Sequence, residues 1–147
     1  MKMTRAAGDN GIFSVAILCI VMLLAACGRD NDESASDEGT RDAPVILTVG
    51  TAHTGSISKF GTSYYSFVAA SDRPHRISLT STRSDLGWEL YSNGFYLIFI
   101  LQCDNSERSD DEVCTTSTNL TAGTTYYVVV DEYDNNAGTY QIQVDAM

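Results

Sequence analysis

The sequence predicts an all-β domain built as an antiparallel sandwich, and three observations predict it. After Pro44, apolar residues recur at every second position in short runs. The runs are separated by Gly, Asn, Asp and Ser, the residues that tight turns require. No segment after Asp42 carries an apolar stripe at helical spacing. Alternation of this kind is how an antiparallel sheet with one covered face reads.

Taken in order, Val45-Ile46-Leu47-Thr48-Val49 is the first expected strand. Gly55-Ser56-Ile57 begins another, and Gly61 marks the turn after it. Tyr65, Phe67 and Ala69 share one face of the next, as do Ile77 and Leu79 of Arg76-Ile77-Ser78-Leu79-Thr80. Leu86, Trp88 and Leu90 share a face, which assigns Trp88 to the core. Tyr126, Val128 and Val130 repeat the pattern, and Tyr140, Ile142 and Val144 close the chain. Phe95-Tyr96-Leu97-Ile98-Phe99-Ile100-Leu101 breaks it, because both faces are apolar. A central strand covered on both sides is the first reading. The second is a face that docks a partner, since an exposed run of this kind is otherwise an aggregation hazard.

Ahead of the domain, Lys2 and Arg5 against Asp9 give a basic start, followed by an apolar run over residues 12–24. That run falls short of the roughly 20 residues a spanning helix needs, and its layout is that of a secretory signal. Its end, Leu24-Ala25-Ala26-Cys27, resembles the bacterial lipobox, in which two small residues precede an invariant cysteine. The resemblance implies a lipoprotein signal over residues 1–26, with Cys27 lipidated by palmitate-type chains and becoming the first mature residue. Several acyl chains on one cysteine anchor a protein to a membrane without a spanning helix. An uncleaved anchor, or an ordinary signal cut after Ala26, are the other readings of this segment. In that family an Asp after the cysteine often signals retention at the inner membrane. Gly28 stands there instead, which leans toward the outer membrane where the source has one. Residues 27–43 hold no large apolar side chain and read as a flexible acidic linker. Residues 44–147 are the sandwich domain.

A formal net charge of −10 on 147 residues argues against nucleic acid as a partner. Of the four cysteines, Cys19 leaves with the leader and Cys27 takes lipid. The remaining pair, Cys103 and Cys114, is expected to form a disulfide in an oxidising compartment.

The region from Gly55 to Val144 resembles the bacterial pre-peptidase C-terminal domain. Ser63-Tyr64-Tyr65-Ser66-Phe67-Val68 is similar to the family's Tyr-x-Phe strand, and Asp85-Leu86-Gly87-Trp88-Glu89-Leu90-Tyr91 to its Asp-Leu-x-Leu-Tyr strand. Ala122-Gly123-Thr124-Thr125-Tyr126-Tyr127-Val128 and Gly138-Thr139-Tyr140-Gln141-Ile142 resemble its closing elements. The resemblance implies a jelly-roll-like sandwich that accompanies secreted proteases and sometimes holds calcium. The expanded Gly87-Trp88 strand and the Cys103–Cys114 loop depart from the family pattern.

No nucleophile elbow, zinc-protease motif or phosphate loop is present, so the chain reads as non-catalytic. The two histidines, His53 and His75, fall in expected turns. Two acidic loops offer oxygen ligands for weak calcium binding: Asp104, Asp110 and Asp111 in one, Asp131 and Asp134 in the other. Neither has an EF-hand pattern, and no other cofactor is expected. Trp88 and Tyr96 are the candidate ligand-stacking rings. The expectation is an exported, membrane-anchored binding module for a polysaccharide or an extracellular protein. A structural, envelope-spacing lipoprotein and an accessory subunit of a secreted protease or secretion system are the alternatives.

Overall fold

Val, Ile, Tyr, Phe and Trp at alternate positions favour a pleated backbone, and the alternation decides which side chains leave water. The computed structural model describes residues 36–104 and 111–147, which form strands and no helix. The strands are β1 (Val45–Ile46), β2 (His53–Ile57), β3 (Thr62–Val68), β4 (His75–Ser81), β5 (Leu86–Tyr91), β6 (Phe99–Cys103), β7 (Glu112–Thr115), β8 (Thr125–Glu132) and β9 (Gly138–Ala146). One sheet has the order β1-β3-β8-β5-β6 and the other β2-β9-β4-β7. Tyr65, Phe67, Val128, Val130, Trp88 and Leu90 from the first sheet meet Ile57, Ile77, Leu79, Ile142 and Val144 from the second in a single core. Trp88 is 1 % exposed, and its indole N–H donates to the Glu112 carbonyl. The sandwich and the inward faces agree with the sequence pattern.

The two open sides of the sandwich are closed by different means. On one side, the segment after β1 changes sheets. Leu47 N–H donates to the Ser66 carbonyl of β3, and Gly50 N–H to the Val144 carbonyl of β9. Val45, Leu47 and Val49 all join the core, so one period-two run serves both sheets. The short strand expected over 45–49 is therefore a two-residue strand and a crossing. Its pairing with β3 is parallel, the exception in an otherwise antiparallel architecture. On the other side, edge strand β6 is joined to edge strand β7 by the Cys103–Cys114 disulfide, with Cα atoms 6.0 Å apart.

Two further expectations are corrected. Residues 95–101 are not a central strand covered on both sides. They form the end of the β5–β6 connection and the start of β6, which lies at the sheet edge with β5 as its neighbour. The flexible linker expected over 27–43 is corrected over 36–43, and residues 27–35 lie outside the described residues. Residues 36–43 lie against β2 and β3 as a strap. Ser58 N–H and Oγ donate to Asp37 Oδ1 at 2.8 Å, and Ser56 Oγ donates to the Ser36 carbonyl at 2.7 Å. Glu38 N–H donates to Ser63 Oγ, and Tyr64 N–H to the Glu38 carbonyl. Polar content alone made this segment read as unstructured. Its partners lie in strands that the linear sequence does not place beside it.

Candidate functional site

The outer face of the five-stranded sheet carries the most distinctive chemistry. In a strand, a doublet of equal residues sends one side chain to each face. Tyr64-Tyr65 on β3 and Tyr126-Tyr127 on β8 do this: Tyr65 and Tyr126 enter the core, while Tyr64 and Tyr127 stand outside. Tyr91, at the end of β5, faces the same way and is paired with Tyr127.

Tyr96 fills the space between them. The β5–β6 connection folds back so that its ring meets Tyr64, Tyr91 and Tyr127 edge-to-face, with centroids 5.5, 5.6 and 5.5 Å away. The turn is held by Asn93, whose carbonyl accepts from Tyr96 N–H and whose side-chain oxygen accepts from Leu97 N–H. Tyr96 takes φ of 55°, a left-handed conformation that non-glycine residues adopt at a cost. Gly94 lies so close to Tyr127 that a Cβ would sit 3.1 Å from its ring. Arg41 of the strap completes the assembly, with its guanidinium 5.3 Å from the Tyr96 centroid and Nη2 donating to the Phe95 carbonyl at 2.5 Å. Burial, then the neighbouring Tyr127 and Tyr64, raise the Tyr96 pKa, while Arg41 acts in the opposite sense. The Tyr91 hydroxyl donates to the Glu89 carboxylate, and this bond is the main cause of its rise to about 12.

This framework holds an apolar tip out in solvent. Phe95, Leu97, Ile98 and Phe99 are 75, 77, 57 and 54 % exposed. Beside the tip runs a groove of about 480 Å³. It is lined by Arg41, Asp42, Pro44 and Ile46, by Ser66 and Tyr127 of β3 and β8, and by Gly94 and Phe95. The arrangement offers apolar contact on a rigid base, with one cation at its margin. It contains no nucleophile paired with a base.

A second polar cluster fastens the strap. His53 Nε2 lies 2.6 Å from Glu38 Oε2, and Tyr65 donates to the same oxygen at 3.4 Å. The Tyr65 and Tyr140 hydroxyls are 2.5 Å apart. Burial is the chief cause of the rise in both phenols, Tyr140 reaching about 12 and Tyr65 going higher still. Ser63, whose Oγ accepts from Glu38 N–H, is fully buried.

Of the acids singled out by the sequence, Asp104 and Asp131, one from each loop, both act on the Tyr133 hydroxyl. Asp131 accepts from Thr62 Oγ1 at 2.7 Å, while Asp134 Oδ2 accepts from the Asn136 amide at 2.7 Å. Glu132 between them is buried and takes backbone N–H bonds from Phe60, Asp134 and Asn136. Asp104 and Asp111 are exposed, and Asp110 and Cys27 lie outside the described residues. Among the described residues no group of three or more His, Cys, Asp or Glu is placed to hold a metal ion. Trp88 presents no face to a ligand. Tyr96 lies at the centre of the site but acts as its support, and the sequence reading missed Arg41, Tyr64, Tyr91 and Tyr127. The doublets Tyr64-Tyr65 and Tyr126-Tyr127 were the available signal, since each requires one outward ring.

No protein-family model matches the chain, and no curated protein matches it. Solved structures do. The pre-peptidase C-terminal domain of a collagenase from Bacillus anthracis superposes with a TM-score of 0.53 at 22 % identity, covering 74 % of this chain and 96 % of its own. PliG of Aeromonas hydrophila, a periplasmic lysozyme inhibitor of g-type lysozyme, gives 0.55 at 14 % identity, covering 76 % and 100 %. Likenesses at these identities are likenesses of fold, so the chain has a sandwich like that of the pre-peptidase C-terminal domain.

Proposed function

We propose that this chain is a non-catalytic lipoprotein, anchored through lipid on Cys27, whose sandwich binds an extracellular or envelope protein through the outer face of its five-stranded sheet. The observation that carries the binding reading is the tip formed by Phe95, Leu97, Ile98 and Phe99, held in solvent by a packed tyrosine base. Apolar anchors on a preorganised support are what dominate protein interfaces. A spacer has no use for them. The Cys103–Cys114 disulfide is in keeping with an exported chain. A sandwich of this general shape serves as a lysozyme inhibitor in PliG, which gives a precedent for protein binding without catalysis.

Polysaccharide binding is the second reading, favoured by the open rings of Phe95 and Phe99. The aliphatic character of Leu97 and Ile98 weighs toward protein.

The test compares the full chain with a Phe95→Ser/Leu97→Ser variant, against g-type lysozyme, solubilised envelope proteins and a glycan array. Saturable binding to a protein, lost in the variant, is expected. Binding that the variant retains, or none at all, removes the proposal, and glycan binding lost in the variant replaces it with the second reading. Palmitate labelling that persists in Cys27→Ala removes the anchor.

A further inference from the structure

The outer sheet face has two ends of different character. At the apolar end, residues 92–100 contain no Asp, Glu, Lys or Arg, and the charges beside them are Arg41 and Asp42 of the strap. Phe99 packs on Tyr91 at 6.0 Å, and the Tyr91 hydroxyl leads to Glu89. Beyond it lies Asp131. Glu89 pairs with Val129 and Gly87 with Asp131, so both carboxylates sit on neighbouring strands. Both point outward, because Leu86, Trp88 and Leu90, with Val128 and Val130, point in. Burial raises the Asp131 pKa and the charge of Glu89 raises it further, against the Thr62 hydrogen bond that lowers it, so the two acids feel each other. Tyr133 stands beside them, its hydroxyl pushed up to about 12 by burial and then by Asp131, Asp104, Glu89 and Asp85. Neither Glu89 nor Asp131 takes part in the His53–Glu38 or Arg76–Asp145 ion pair. Arg41, a cation of this face, is bonded to the Phe95 carbonyl at the apolar end.

We infer that the partner of this face is a cationic protein surface, which covers the apolar tip and lays lysine or arginine side chains on the Glu89–Asp131 end. This inference rests on the reading that the face binds protein. An apolar patch needs a cover, and the charge beside it selects which cover fits. A second copy of the chain fits poorly, because pairing like faces brings two acidic rows and two chains of net charge −10 together. An acidic partner meets the same repulsion.

Solubilised envelope proteins, divided into a pool retained by a cation exchanger and one retained by an anion exchanger, serve as probes for the immobilised full chain. Wild type is expected to bind the cation-exchanger pool. Its association rate is expected to fall about tenfold in Glu89→Gln/Asp131→Asn and to fall with rising salt. Salt dependence of the wild type needs no variant to fold, and circular dichroism checks the variant. Binding confined to the anion-exchanger pool, or binding indifferent to both salt and the charge variant while still lost in Leu97→Ser, overturns the inference and leaves the protein-binding reading standing. No binding to either pool overturns both.

Discussion

Asp131 is held partly out of water on the outer face of β8, with Thr62 donating to it and Glu89 nearby. Burial and the neighbouring charge favour its protonated form, so its pKa is higher folded than unfolded. The favourable contribution is complete below the unfolded value, about 3.9, and is lost as pH rises through the higher folded value. Asp131→Asn keeps an acceptor for Thr62 and removes the titration. Urea unfolding is expected to show the variant more stable than wild type at neutral pH, with the gap closing toward pH 4. A constant gap across that range contradicts the account. The environment of Asp131 was not legible in the sequence, because Thr62 and Glu89 reach it only through strand pairing. The inward residues were legible, because parity along a strand is a local property.

At the scale of elements, the β5–β6 connection and the β6–β7 link show where local reading succeeds and fails. The apolar run at 95–101 read as one strand, since periodicity registers that residues are apolar and cannot register that the chain reverses. The reversal is encoded just upstream, in Asn93-Gly94, where the asparagine fastens the turn and the glycine makes room for Tyr127. The disulfide was legible from cysteine count and compartment. What it joins was not: it ties the edge of one sheet to the edge of the other. In the chain-entropy view a bridge closing so short a loop contributes about 2–3 kcal/mol. Cys103→Ala/Cys114→Ala is expected to lose that amount in urea unfolding. Amide exchange should accelerate in β6 and β7 and stay unchanged in β1 and β3. Uniform acceleration across all strands would show that the bridge acts on the whole fold and not on that side.

For the whole molecule, sheet count and core composition follow from the alternating pattern, while the closure of the two sides and the site itself follow from long-range partners. The strap is the clearest case. Its residues look like linker, yet they reach from Ser56 and Ser58 at one end to Phe95 and Tyr96 at the other. This has a mechanical consequence. A pull on the chain from the N-terminal side of Ser36 meets the strap before it meets any strand. The fastenings are met in succession: Ser36 and Asp37 first, then the Glu38–His53 pair, and last the grip of Arg41 on the Phe95 carbonyl. Single bonds met in turn yield at lower force than a sheet, whose bonds must break together. Stretching the domain between residue 36 and Met147 is expected to give a short, low-force extension before the main rupture. Under that first load the apolar tip loses its arginine prop, so on the proposed reading a tethered copy under tension would hold the proposed partner less tightly than one at rest. A single rupture with no early extension would show that strap and sandwich give way as one body.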